Sequence, residues 1–153
     1  MSKHYFESPI MLRRHTLLGF IAATTLIAAN AQTTLTSAPK TLKLLIQMSD
    51  AEPARWNLAL NNAKNTQDEL GAGNIEIEIV AYGPGIGMLK LDSLVNSRLA
   101  DAAKAGVKIV ACENTMRNQK ISRDDMHPSV SFVASGVVEL VRKQSEGWAY
   151  VRP

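Results

Sequence analysis

The chain holds a single cysteine, Cys112, and beyond its N-terminal region a single histidine, His127. Cys112 closes the apolar run 107–111 and opens the polar stretch 113–117. That pattern reads as a buried strand giving way to a loop or helix start. A thiol at the C-terminal end of a strand stands where open α/β sheets place their ligands, and amides at a helix start would favour its thiolate. The same position also suits an inert thiol, since free cysteine is among the most buried residue types. Arg117 could lower the thiol pKa or hold an anion, or stand on a helix surface. Glu113 opposes thiolate formation if it points at the sulfur, and Asn114 follows it at the same turn. His127 precedes Pro128 in a polar loop, so it is either solvated or one half of a Cys112–His127 pair. One His and one Cys cannot build a metal site without carboxylate help, and no metal is expected.

Gly83-x-Gly85-x-Gly87 would let backbone amides approach an anion or a persulfide. The spacing is neither the dinucleotide fingerprint nor a Walker loop, and Pro84 removes one donor. A tight turn is the simpler account. Ser49 lacks a G-x-S-x-G setting, and with Asp50 it enters the candidate site by position alone. No cofactor is called for.

These residues must be placed by the elements around them. The apolar runs 42–48 and 107–112 and the alternating run 75–81 predict strands, joined by shorter ones at 131–134 and 148–151. In 75–81 the residues Glu76 and Glu78 alternate with Ile75, Ile77 and Ile79, which predicts a strand exposed on one face at its start. Pro53 suits the first turn of a helix ending before Gly71. Further helices are expected over 88–105 and 137–144, with a short one from 113 to 119 and a cap at Ser122. The last strand is expected at a sheet edge, because it finishes at Pro153. This alternation predicts a three-layer α/β/α sandwich around a mainly parallel sheet of about five strands. In such a sheet the strand C-termini share one edge. Ser49-Asp50, Gly83-Pro84-Gly85, Cys112-Glu113-Asn114 and Ser135-Gly136 should gather there, with a cleft around Cys112.

The N-terminal region bears on where that thiol works. Arg13-Arg14 precede the uncharged stretch 17–29, which ends in Ala29-Asn30-Ala31, the parts of a secretory signal peptide. The stretch is shorter than the about 20 residues of a membrane span. Residues 1–31 are therefore expected to direct export to the periplasm, by the twin-arginine or the general route, and 32–40 to form a disordered leader. Translation could begin at Met1 or Met11. Removing Lys3, Glu7, Arg13 and Arg14 leaves residues 32–153 close to neutral, without the basic footprint of a nucleic-acid binder. No later apolar run is long enough for a membrane. In an oxidising compartment a lone cysteine has no intramolecular partner.

The segment Gly106-Val107-Lys108-Ile109-Val110-Ala111-Cys112, with Arg117 and Ile121 following, resembles the cysteine segment of the DsrE/DsrF/TusD sulfur-relay superfamily. The runs 56–63, 80–85 and 112–116 and the ending Glu146-Gly147-Trp148-Ala149-Tyr150 resemble a DsrE-like branch whose members are mostly of unassigned function. The resemblance covers the domain at 41–153. It implies an α/β/α fold, a homotrimer or homohexamer, and a cysteine at position 112 that carries sulfur as a persulfide between donor and acceptor proteins. Relay members are generally cytoplasmic and carry small or apolar residues where this chain has Glu113-Asn114. The expectation is thus an exported protein that binds or transfers reactive sulfur through Cys112, without metal, nucleotide or nucleic acid. The alternatives are an oligomeric binding or scaffold module with a structural cysteine, and a redox-sensing thiol.

Overall fold

The computed structural model describes residues 41–153. The expected signal peptide at 1–31 and the leader at 32–40 lie outside the described residues. Five strands form one all-parallel sheet: β1 Leu42–Met48, β2 Ile75–Ala81, β3 Lys108–Cys112, β4 Val130–Val133 and β5 Ala149–Val151, in the order β4-β3-β2-β1-β5. Four α-helices connect them: α1 Pro53–Leu70, α2 Asn96–Lys104, α3 Glu113–Gln119 and α4 Gly136–Ser145. The α/β/α architecture is as expected, and β5 occupies the expected edge.

The two faces of the sheet are covered unequally. Leu44, Ile46, Met48, Ile77, Ile79, Ile109 and Ala111 meet Trp56, Leu60 and Ala63 of α1, Leu99 of α2 and Met116 of α3 in the main core. The other face is covered by α4, through a small cluster of Leu45, Val80, Val110, Leu140 and Trp148. Burial on both faces explains why β1 and β3 read as near-continuous apolar runs.

Two expectations are corrected. The segment expected to be one helix over 88–105 is divided: Gly83–Leu89 is a 3₁₀ helix and α2 begins only at Asn96. Between them Lys90 takes extended backbone and bridges antiparallel to Met126, and the Leu91 amide donates to the Asp125 carbonyl at 2.9 Å. Those tertiary bonds override a helical spacing that Met88, Leu91 and Val95 otherwise satisfy. The second correction is Glu78, which does not face solvent but is wholly buried. Lys143 of α4 lies 2.9 Å and Lys108 lies 3.1 Å from its carboxylate, which makes a buried charge tolerable.

Candidate functional site

The helices after β3 and β4 leave in opposite directions. Met116 of α3 packs into the main core and Leu140 of α4 into the second cluster, so the C-terminal ends of β3 and β4 mark a topological switch point, where open sheets take their ligands. Cys112 ends β3 there, paired with Val133 of β4. By strand alternation its side chain shares the α4 face with Val110.

Cys112 occupies the N-cap position of α3 without a formed side-chain cap bond. Burial would push its thiol pKa up. The Gly136 amide at the start of α4 and the Thr115 amide and hydroxyl outweigh that and hold it below the usual thiol value. Two helix starts thus address one sulfur, and the partial positive charge of such ends favours an anion. Gly136 leaves little room for a side chain. A Cβ there would lie 3.2 Å from the Cys112 Cβ and 3.1 Å from the Tyr82 Cβ. The sulfur is nonetheless covered, with Cys112 only 4% exposed, so the expected open cleft is not formed around it. A cavity of about 600 Å³ opens elsewhere, between α1 and the start of β1, lined by Leu42, Leu44, Leu70, Ile75 and Val151. Its lining is mainly apolar, and Cys112 is not part of it.

The glycine loop braces the site and does not cradle an anion. The Gly83 amide donates to the Thr115 Oγ1 at 2.9 Å, and Gln119 Nε2 donates back to the Gly83 carbonyl at 3.1 Å. The Gly85 amide is spent on the Tyr82 carbonyl at 3.1 Å. A Cβ on Gly85 would clash with the Met48 carbonyl and lie 2.9 Å from the Ser49 Cα, so Gly85 is there for close approach to β1.

The remaining candidates divide by place. Glu113 pairs with Arg123, and Arg117 donates to the Asn114 side chain; none of the three charged groups is among the largest influences on the thiol. Ser49 and Asp50 do reach the shared edge, at the end of β1. Ser49 Oγ accepts from Gln47 Nε2 at 3.2 Å, the Asp50 carbonyl accepts from Trp56 Nε1 at 2.7 Å, and the Asp50 carboxylate faces Arg152 at 3.5 Å. Tyr82 connects the two halves of the edge. A Cβ on Gly136 would lie 3.4 Å from the Tyr82 ring, and Ser49 acts on its hydroxyl from the β1 side. Burial, then the nearby Tyr150 hydroxyl, raises the Tyr82 pKa against the pull of Arg152 and Ser49.

His127 is not brought to Cys112. β4 begins at Val130, opposite Ile109, whereas Cys112 lies opposite Val133. His127 precedes Val130 and so sits at the other edge of the sheet, about 10 Å of strand away. It is buried, with its amide on the Leu89 carbonyl at 2.9 Å and its Nδ1 accepting from the Ser129 amide at 3.1 Å. Among the described residues no three His, Cys, Asp or Glu side chains come together as a metal site.

Thr115 and Tyr82 are the site residues that sequence reasoning missed. A Thr three positions after an N-cap residue was a usable sign, because side chains in a first helical turn reach back to the cap.

Residues 42–153 match the DsrE/DsrF-like family. Among solved structures, a protein of unknown function, MTH1491, from Methanobacterium thermoautotrophicum is 34% identical with a TM-score of 0.70, over 73% of this chain and 99% of that one. The ychN protein from E. coli has a TM-score of 0.61 at 14% identity, over 73% and 99% of the two chains. A conserved protein of unknown function, BT1422, from Bacteroides thetaiotaomicron has a TM-score of 0.59 at 16% identity, over 76% and 99%. These two show likeness of fold. No curated protein matches the chain. With the cysteine strand, the five-strand sheet and a match across the whole described domain in agreement, the chain belongs to the DsrE/DsrF-like family.

Proposed function

We propose that the protein is a carrier of reactive sulfur in which Cys112 is the nucleophile. The observation that carries this reading is an unpaired thiol at the start of α3 with Gly136, the first residue of α4, packed against its Cβ, a setting that holds its pKa below the usual thiol value and favours the thiolate. The Cys112 thiolate attacks the outer sulfur of a donor persulfide. A sulfur–sulfur bond forms on Cys112 as the donor's own sulfur–sulfur bond breaks, and the donor leaves as a thiolate. An acceptor thiolate then takes the outer sulfur by the same exchange in reverse. No net oxidation occurs, and no metal or nucleotide takes part. The family's general association with sulfur relay supports the chemistry.

The fuller reading is of an exported homo-oligomer that serves a donor and an acceptor protein outside the cytoplasm. The signal-like residues 1–31 support export. Val137, Val138 and Val141, exposed on α4 beside the site, support a protein interface there. The test is polysulfide treatment of the native protein followed by intact-mass measurement. One added sulfur atom per chain, lost in Cys112→Ser and removed by a small thiol acceptor, is the expected result. A native protein that takes up no sulfur overturns it.

The burial of Cys112 favours a second reading, a binding or scaffold module with the thiol as packing. Labelling with a thiol reagent separates the two. Reaction only after denaturation supports packing, and reaction in the native state supports the carrier.

A further inference from the structure

Helix α4 is inside out for a helix on a protein surface. Its buried positions are Gly136, Glu139, Leu140 and Lys143, and its valines 137, 138 and 141 face outward. A surface helix ordinarily buries an apolar stripe; here only Leu140 does so.

Charge supplies the rest of the seat. Lys143 Nζ lies 2.9 Å from Glu78 Oε2 on β2 and 4.2 Å from the centre of the Trp148 ring. Lys108 of β3 reaches the same carboxylate from the half-exposed side at 3.1 Å, and Lys43 of β1 stands 5.6 Å from the Trp148 ring. On α4 itself, Glu139 lies 3.9 Å from Lys143 and 2.5 Å from Arg142. The Glu78 oxygens make no well-directed hydrogen bond, so the two ammonium charges are what compensate their burial.

A buried ion pair is a poor way to add stability, since apolar replacements of similar volume are often neutral or stabilising. What it fixes is geometry. Gly136 and Lys143 are seven residues apart on the same face of α4, about 10 Å along the axis. Pinning Lys143 to β2 therefore fixes how far the helix is advanced and turned at Gly136. We propose that Glu78 and Lys143 are positioning residues for Cys112: their buried pair seats α4 on the sheet and so sets the Gly136 amide against the sulfur. This rests on the reading of Cys112 as the reactive thiol.

The test is the pH dependence of Cys112 alkylation by iodoacetamide in the full chain. The midpoint is read in preference to the absolute rate, because the sulfur is covered. Glu78→Leu/Lys143→Met removes both charges together and leaves the net charge unchanged. Its midpoint is expected to rise by about half to one unit, a loss of roughly three- to tenfold in rate below the midpoint. Lys143→Arg, which keeps the pair, is expected to retain the wild-type profile. A folded double variant with the wild-type midpoint overturns the inference and leaves the carrier reading intact. A wild-type midpoint at the ordinary thiol value instead overturns the reactive-thiol reading and this inference with it. If the double variant does not fold, Glu78→Asp takes its place: it keeps the charge but draws the carboxylate back, and the same two outcomes decide.

Discussion

Gly136 and Cys112, on different elements, are packed so closely that a Cβ on the glycine would lie 3.2 Å from the cysteine Cβ. This contact brings the first amide of α4 to the sulfur. In Gly136→Ala either Tyr82 and Cys112 give way or the helix retreats. Overpacking of this kind costs about 1–3 kcal/mol, against a gain of at most about 1 kcal/mol in helix propensity. The variant should be less stable to denaturant, and its thiol should titrate higher than the wild type as the amide withdraws. An unchanged alkylation midpoint would mean that the amide does not act on the sulfur.

Thr115 offers a separable contribution. Its hydroxyl accepts from the Gly83 amide at 2.9 Å, which leaves its proton free to be donated towards Cys112. Thr115→Val keeps the shape and strands the Gly83 amide, a loss of about 1–2 kcal/mol. It should also raise the thiol midpoint, whereas Thr115→Ser should retain most of the wild-type behaviour. Equal midpoints for the Val and Ser variants would confine Thr115 to holding the loop.

Much of this architecture was legible in the sequence because buried parallel strands and helix stops are local signals. The runs around Leu45 and Val110 are apolar without interruption, and Gly71 ends α1 where a C-terminal glycine is expected. Cys112 could be placed at a sheet edge from its own neighbours. Other features depend on residues far along the chain. Glu78 reads as an exposed strand position until Lys143 of α4 arrives to meet it. The spacing of Met88, Leu91 and Val95 is helical, but the bond from the Leu91 amide to Asp125 breaks the helix. The place of Thr115 in a first helical turn was readable, but its tie to the Gly83 amide was not.

The position of His127 yields a negative prediction. It lies at the opposite edge of the sheet from Cys112, with Nδ1 occupied by the Ser129 amide. His127→Gln should cost about 1–2 kcal/mol of stability through the lost acceptor. The pH profile of Cys112 alkylation should stay where it is. A fall of tenfold in thiol reactivity at neutral pH would restore a Cys–His pair.

Glu139 predicts how stability responds to acid. Burial pushes its carboxyl pKa up, but bonds from Arg142 and the charges of Arg142 and Lys143 hold it below the usual 4.5. A carboxyl depressed in the folded state binds protons more readily when unfolded. Its contribution is therefore complete above the unfolded value and is lost as pH falls through the lower, folded one. Denaturant unfolding of the wild type should show stability declining as pH drops below about 4.3. Glu139→Gln should lack that part of the decline. At neutral pH the variant should be less stable by about 1 kcal/mol, a small cost because Arg142 is half exposed. In strong acid the two curves should converge. A wild type and a Glu139→Gln variant that stay parallel from neutral pH into acid would show that the carboxylate adds nothing to the seat of α4.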